Sequence, residues 1–455
     1  MIMKSIATIK ELSKGLSLVQ LLFIFEAFFG SFYVSITRGI TPIFLVRLGY
    51  QLKDLLFLNA MGGFLALLIA ISLYNMPRIK ISKTKIISAL TIERVMWVLI
   101  YFLSPFRDLL PIIYGLALAA PLASSIFLNI SMLSLFDEKD YRRVTSFRGA
   151  FGGIATIISQ FINVTVLMLY SGIMKFMFLY SVAFIIGMFS PILMIFIPEI
   201  PVLQTTVLKT DVEVEIRVSN IFLLITMYLA SISLLNIAWI PYLLNVFGVP
   251  DYYVAVIGLT QTLTSIISSI YWTNKSLKTY RSAMIIIGLI PILVSYTTIP
   301  TFHLLYAVLL GFANVGANFY ASFSYASLIR KLGVYRAGIM LPAASYLALT
   351  IAGITGYFVG LNYSYVFILS AIYSLIGLSI AIFALPELSI VKSPYTRIYS
   401  RILYHTSIFG YSIIMYSLAS TAKLVLKIII LLSALLLLYL IYKMIYYIII
   451  ISGGI

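Results

Sequence analysis

The stretch "EIPVLQTTVLKTDVEVEIRVSN", Glu199 to Asn220, divides the chain's long apolar runs into two sets of six and holds four of its fourteen acidic residues. A membrane-spanning helix needs about 20 apolar residues. Runs of that kind fall at about 17–39, 54–74, 84–104, 109–134, 147–170 and 173–197 before the stretch, and at about 220–245, 252–272, 282–299, 303–328, 334–358 and 363–385 after it. The order predicts an all-α polytopic membrane protein with two six-helix bundles.

The composition supports this class. Of 455 residues, 62% are hydrophobic and 10% are charged, whereas soluble domains are about 45–50% apolar and about 25% charged. The chain has no cysteine and two histidines, so we expect no metal site and no cofactor. The net charge of +17 is typical of basic cytoplasmic loops, and we expect no nucleic-acid partner.

The distribution of basic residues predicts the orientation. With the N-terminus inside, the segments predicted to be cytoplasmic hold nineteen Lys and Arg residues and the outer loops hold five. This count places Arg148 in a cytoplasmic segment and Arg38 in an outer loop. Because basic residues collect on the cytoplasmic side, we predict a multi-pass protein of the cell membrane with a cytoplasmic N-terminus.

The two halves show an internal repeat. "TPIFLVRLGY" (Thr41–Tyr50) and "IPYLLNVFGV" (Ile240–Val249) align at a shift of 199 residues, which pairs Pro42 with Pro241 and Gly49 with Gly248. The basic loops "SLYNMPRIKISKTK" and "SIYWTNKSLKTYRS", after the second helix of each half, align at a shift of 197. A basic stretch also precedes the fifth helix of each half. The matches keep the same order, which indicates a direct repeat.

This architecture resembles the major facilitator superfamily (MFS) over residues 15–387. The loop "NMPRIKISKTK" keeps the basic residues of the family signature that follows helix 2. The resemblance implies two bundles that alternate access to a central cavity lined by helices 1, 4, 7 and 10. Helix 4 lacks the arginine of many proton-coupled members and helix 5 lacks the Gly-Pro of many antiporters, which argues against proton-driven drug antiport.

The predicted domains are an N-terminal bundle at 1–198, a cytoplasmic loop at 199–219, a C-terminal bundle at 220–387 and an extension at 388–455. In the extension, 393–417 is either an interfacial amphipathic helix or a further span. The apolar run at 424–449 predicts about one extra C-terminal transmembrane helix.

Charged residues deep in the predicted spans are the main functional candidates. Glu26 and Glu93 are the only deep acids and Arg94 the only deep base that we assign from the sequence. Such residues usually face the bundle interior and pair there. Desolvation favours a neutral Glu26 carboxyl, which makes it a candidate proton carrier or anchor of a cationic group. The alternative is a fixed partner, such as Arg94. For Glu93 and Arg94 we expect a structural ion pair.

Polar residues at helical spacing extend the candidate site. Glu26, Tyr33 and Thr37 share one face of helix 1, and the repeat shift maps Thr37 onto Asn236. The candidate substrate- or ion-binding residues are Glu26, Tyr33, Thr37, Asn129, Asn236, Asn314, Asn318 and Ser322. The alternative for each asparagine is a contact that only joins two helices.

The function that this pattern favours is secondary transport of a small solute by alternating access, with proton coupling through Glu26 as one option. The alternatives are a flippase for a lipid or lipid-linked saccharide, and a non-transporting scaffold with the same fold. We find no cluster of acids, histidines or nucleophiles that suggests an enzyme. The expected partners are the solute, protons in the coupled version and membrane lipids, and we expect a monomer.

Overall fold

The computed structural model describes residues 16–75, 82–200, 212–273, 275–332, 334–385 and 396–404, with backbone alone for 138, 212–215, 277, 322–338, 341 and 384. Up to residue 385 the described elements are helices joined by short loops. They are α1 Leu18–Arg47, α2 Leu52–Asn75, α3 Lys83–Leu103, α4 Leu110–Leu135, α5 Glu138–Leu169, α6 Met174–Gly187 with its continuation Phe189–Leu193 and the 3-10 turn Met194–Phe196, α7 Val212–Asn245, α8 Asp251–Thr273, α9 Tyr280–Tyr296, α10 Phe302–Leu332, α11 Val334–Val359 and α12 Tyr363–Ala384.

The predicted runs and the observed helices correspond one to one. Among the described residues, eleven helices are long and apolar enough to cross a membrane, and α9, with 17 residues, is a shorter apolar helix. The polytopic all-α fold is therefore confirmed. Three helices extend about two turns beyond their apolar runs: α1 continues to Arg47, α5 begins at Glu138 and α7 begins at Val212.

Polar caps explain where several helices begin. Ser17 and Gln20 form a capping box at the start of α1, with hydrogen bonds between each side chain and the other residue's backbone N–H. The Asp137 carboxylate accepts a hydrogen bond from the Asp140 N–H at the start of α5. Such caps satisfy N–H groups that have no partner within the helix. Because of the Asp137 cap, α5 starts about ten residues before its apolar run, which affects the site described below.

The structure reproduces the internal repeat in backbone detail. Pro42 lies inside α1 and Pro241 lies inside α7. Gly49 and Gly248, which follow these two helices, both have positive φ angles, +84° and +62°. That region favours glycine because a Cβ is disfavoured there. The two halves therefore leave their first helices through equivalent turns.

The helices pack as two bundles. Within the first half α1 packs on α5, and α4 packs on both α2 and α3. Within the second half α7 packs on α11 and α12, α8 packs on α10, and α9 packs on α10 and α12. The most extensive contacts between the halves are α2 with α11 and α5 with α8. The repeat exchanges α2 with α8 and α5 with α11, so these two interfaces are equivalent.

Glycine allows the α2–α11 interface to be close. A Cβ at Gly353 of α11 would lie 2.6 Å from the backbone nitrogen of Ala60 in α2 and 2.7 Å from its Cα. Two helix backbones can approach in this way only where one helix carries a small residue. The interface therefore depends on the missing side chain at Gly353.

The Gly353→Ala variant should be less stable than the wild type by about 1–3 kcal/mol, because the added methyl group overpacks against backbone that cannot rotate away. Gly153→Ala in α5 is the matched control, since a Cβ there meets nothing within 4 Å. A helical Gly→Ala change without a clash stabilises by about 0.5–1 kcal/mol. The melting temperature in detergent should therefore fall for Gly353→Ala and rise for Gly153→Ala. A rise for both variants would contradict the close approach of α2 and α11.

The surface is apolar and several interior positions are polar. Large exposed side chains include Phe161, Ile267 and Phe358, whereas Glu26 and Arg94 are buried. Apolar exposure of this extent on long helices fits contact with lipid tails. It also leaves the interior as the place where charged groups can meet.

The C-terminal extension forms a separate unit, Arg397–Ile455, of which the described residues 397–404 are helical. The run predicted as an extra span, 424–449, lies outside the described residues, as does most of the segment 393–417.

Candidate functional site

A cavity of about 620 Å³ lies against the first bundle. Side chains from α1, α3, α4 and α5 line it, among them Ser31, Ser35, Ser125 and Asn129. Its size falls within the range of about 300–1,000 Å³ that is typical of small-molecule sites. Five charged residues also line it: Glu26, Arg38, Glu93, Arg94 and Arg148.

An apolar cluster fixes one end of the site. Phe23 of α1 packs with Ile86, Leu128, Val144 and Met194, which come from α3, α4, α5 and the end of α6. Glu26 follows Phe23 by less than one helical turn. The packing of five elements around Phe23 therefore sets the position of the Glu26 carboxylate.

Glu26 forms an ion pair with Arg148 of α5. Arg148 Nη1 donates to Glu26 Oε2 at 2.7 Å and to the Phe23 carbonyl at 2.6 Å. The carboxylate side chain is 4% exposed and the Arg148 side chain 17% exposed. A charge-assisted hydrogen bond of this length stabilises the ionised carboxylate. Glu26 therefore already has a cationic partner in this state.

Ser190 links this pair to a second pair. Its hydroxyl donates to Glu26 Oε1 at 3.0 Å and accepts from Arg94 Nη2 at 3.4 Å. Arg94 Nη1 lies 2.8 Å from Glu93 Oε1, at an angle outside hydrogen-bond geometry. Ser124 of α4 donates to the other Glu93 oxygen at 2.8 Å. The result is a continuous polar network from α5 through α1 and α6 to α3 and α4.

Tyr33 holds Arg94 in place. The Arg94 guanidinium lies 4.5 Å from the centre of the Tyr33 ring, in the geometry of a cation–π contact. The Tyr33 hydroxyl donates to the carbonyls of Glu93 and Arg94 at 3.1 and 2.9 Å. Tyr33 is fully buried. Its contacts therefore support the network from behind the cavity.

Arg38 differs from the other two cavity arginines. It is exposed, it lies 5.9 Å from the Trp97 ring centre, and no carboxylate among the described residues pairs with it. Tyr346 of α11, in the second bundle, contacts it. Gln160, another lining residue, lies against Gly258 of α8. The cavity therefore reaches the interface between the bundles.

A second charged cluster joins the two bundles at the far end of α1. Asp251, the first residue of α8, pairs with Arg47 and with Lys175, each at 2.6 Å. Arg47 ends α1 and Lys175 lies in the first turn of α6. At a rise of 1.5 Å per residue, Arg47 lies about 30 Å along α1 from Glu26. The cluster, which we call the Asp251 clamp, therefore joins the two bundles at the end of α1 that the sequence predicts to be outside.

Solved structures share this fold. No family model matches the chain, and no curated protein matches its sequence. A POT family peptide transporter in an autoinhibited form superposes with a TM-score of 0.63 at 12% identity, covering 79% of this chain and 95% of that chain. A bacterial homologue of the iron transporter ferroportin, in an inward-facing state, gives 0.59 at 13% identity, covering 81% and 98%. The nucleoside transporter NupG gives 0.57 at 13% identity, covering 79% and 98%.

The fold is one that solved membrane transporters share. At 12–13% identity the likeness extends to the fold alone. The names of these transporters give different substrates, namely peptides, iron and nucleosides.

Within this transporter fold, the predicted site residues separate into groups. Glu26, Asn129, Glu93 and Arg94 line the cavity. Thr37 is buried and donates to the Tyr33 carbonyl at 2.9 Å, and neither Thr37 nor Tyr33 is a lining residue. The side chain of Ser322 lies outside the described residues. The binding roles stay predictions.

Three predicted asparagines lie in the second bundle, away from the lining of this cavity. Asn318 of α10 accepts a hydrogen bond from the Tyr228 hydroxyl at 2.9 Å and donates to Asn314 at 3.2 Å. Asn236 of α7 is exposed. The Asn314–Asn318 contact follows the i, i+4 spacing of the sequence stripe within α10, and the Tyr228–Asn318 hydrogen bond joins α10 to α7.

Two assignments made from the sequence were wrong. Arg94 is not the only deep base, because Arg148, which lies in α5, pairs with the buried Glu26 inside the bundle. Arg38 is not in an outer loop, because α1 continues to Arg47. The capping residue Asp137 was the sequence feature that could have extended α5 to include Arg148. No sequence feature pointed to the role of Ser190.

Proposed function

We propose that this chain is a secondary transporter of the MFS type, which moves a small solute across the cell membrane by alternating access, with its N-terminus in the cytoplasm, and has no enzymatic role. The observation that carries the proposal is a solute-sized cavity that contains a charged network and reaches the interface between two bundles, which the Asp251 clamp joins at the predicted outer end.

The packing suggests how access alternates. The two bundles meet mainly through α2–α11 and α5–α8, so they can rock about these interfaces while each bundle keeps its own core. Opening at the predicted outer end requires Asp251 to separate from Arg47 and Lys175. In the proposed cycle we assign this conformation, with the Asp251 clamp intact, to the state that is closed at the predicted outer end. The ferroportin homologue was solved in an inward-facing state.

Glu26 gives the proposed cycle a route to proton coupling. Protonation removes the charge that holds Arg148, so the 2.7 Å contact weakens and the guanidinium becomes available to another acceptor. The Ser190 link carries the same change to Arg94. One proton would thereby alter two cavity cations.

The first experiment is a thermal-shift screen of purified protein against sugars, amino acids, organic acids, peptides, nucleosides and cationic drugs at two pH values. A ligand that binds the folded state raises the apparent melting temperature. Glu26→Gln is run beside wild type, and Asp108→Asn, an exposed loop carboxylate, is the matched control. Hits are then tested for uptake into proteoliposomes with and without a pH gradient.

We expect a hit whose shift depends on pH in wild type and in Asp108→Asn but not in Glu26→Gln. If Glu26→Gln leaves the thermal shift and its pH dependence unchanged, Glu26 has no role in coupling, and the proposed transport function still stands. Binding without uptake under any gradient would contradict the proposed transport function.

A further inference from the structure

The cavity has an uncompensated positive charge. Three arginines and two glutamates line it. Both glutamates are already paired, Glu26 with Arg148 and Glu93 with Arg94. Arg38 is the cavity arginine that has no carboxylate partner among the described residues.

An unpaired arginine within a membrane-spanning helix is costly, by about 2.5–3.5 kcal/mol on insertion scales. Arg38 lies in α1 between Thr37, which is fully buried, and Gly39, which lines the cavity. Its side chain is exposed and lines the cavity, which reduces the cost of burial but leaves the charge without a counterion among the described residues. A ligand that brings a negative charge would supply one.

The setting of Arg38 suits a planar anion. The Trp97 ring, 5.9 Å from the guanidinium carbon, supports Arg38 on one side, and Trp97 itself is fully buried and so cannot move aside. A guanidinium that rests on an aromatic ring keeps N–H donors at its edge, and these match the two oxygens of a carboxylate or phosphate.

We propose that the transported solute carries a carboxylate or phosphate group and that Arg38 binds this group from the cavity. That the solute is transported rests on the proposed function, whereas the anion site itself rests on the cavity. Tyr346 reaches Arg38 from the second bundle, so an anion bound there lies where the two bundles meet. Binding can then bias the rocking of one bundle against the other.

The test uses purified full-length protein in neutral detergent. The anionic probes are succinate, inorganic phosphate and glycerol 3-phosphate, and the neutral counterparts are succinamide and glycerol. Thermal shift and tryptophan fluorescence are the two readouts, since the chain has three tryptophans and Trp97 lies beside Arg38. A separate arm adds phosphatidylglycerol to the micelles to test a lipid headgroup as the source of the anion.

The variants are Arg38→Gln, which removes charge and donors, Arg38→Lys, which keeps the charge, and Trp97→Phe. Arg107→Gln is the matched control, because Arg107 also lies over an aromatic ring, 5.1 Å from the Tyr50 centre, but in the α3–α4 loop. We expect at least one soluble anion to bind and its neutral counterpart not to bind. Arg38→Gln should weaken the Kd about tenfold or more and Arg38→Lys less, because a bidentate contact to Arg becomes a single contact to Lys.

Arg107→Gln should leave the Kd unchanged, and the fluorescence response should vanish in Trp97→Phe while the thermal shift remains. The proposal fails if none of the soluble anions binds, if Arg38→Gln binds them like wild type, or if only phosphatidylglycerol produces a response. Uptake into proteoliposomes separates the two claims. An anion that binds through Arg38 but is not taken up contradicts the transport function alone, and a neutral solute that binds and is taken up contradicts the anion site alone.

Discussion

Replacing Arg148 with methionine should lower the stability of the folded protein by about 3 kcal/mol, the lower end of the cost of removing one partner from a buried ion pair. Methionine keeps most of the apolar volume of the arginine stem, so the loss reports mainly the charge. Glu26 is then left 4% exposed, with only the Ser190 hydroxyl as a donor to its carboxylate. The measurement is the apparent melting temperature in detergent, supported by denaturant unfolding.

A double-mutant cycle makes this prediction specific. Glu26→Gln combined with Arg148→Met removes both charges, so the double variant should be more stable than Arg148→Met alone. Lys139→Met, an exposed residue in the first turn of α5, is the matched control and should change stability little. Additive losses in the cycle would mean that Glu26 and Arg148 are neighbours without an energetic coupling.

Asp251→Asn should open the cavity toward the predicted outer side. The change leaves Arg47 and Lys175, both in the first bundle, without the carboxylate of α8 that both contact at 2.6 Å, so the charged contacts that join the two bundles at this end are lost. A charged hydrogen bond contributes about 1.5–3 kcal/mol, and 1.4 kcal/mol is a factor of ten in an equilibrium. The outwardly open population should therefore rise about tenfold or more.

Cysteine labelling can measure this shift directly, because the natural sequence contains no cysteine. Ser35→Cys places a single thiol in the cavity lining. An impermeant maleimide added from the predicted outer side should label it faster in the Asp251→Asn background than in the parent. Asp54→Asn is the control, since Asp54 caps α2 at the same end through a backbone N–H. Equal labelling rates in all three backgrounds would show that the Asp251 clamp does not hold the outer side closed.

Much of the fold could be predicted from the sequence, because each spanning helix requires a long apolar run. The direct repeat was also visible, since Pro42 and Gly49 recur at Pro241 and Gly248 and the structure gives them equivalent roles. Helix ends were less accessible. Hydropathy indicates which part of a helix lies in apolar surroundings. The helix itself extends further, to the residues that cap its hydrogen-bonded backbone.

The same physics explains the site. Glu26, Glu93 and Arg94 could be selected because a charge inside an apolar run is costly and so stands out. Arg148 and Arg38 lie at the edges of the apolar runs 147–170 and 17–39, so the sequence did not distinguish them from charges in the adjoining loops. The Ser190 link depends on how α6 packs against α1 and α3, a tertiary contact that no local pattern contains.

Among the described residues, the side chains that line the cavity all come from the first half of the repeat, so the two halves differ in the charge that they place there. At the repeat shift of 199, Glu26 corresponds to Ile225 and Arg38 to Ile237. The first half thus supplies charged side chains at positions where the second half has apolar ones. Exchanging halves between related chains should accordingly transfer solute selectivity with the first six helices.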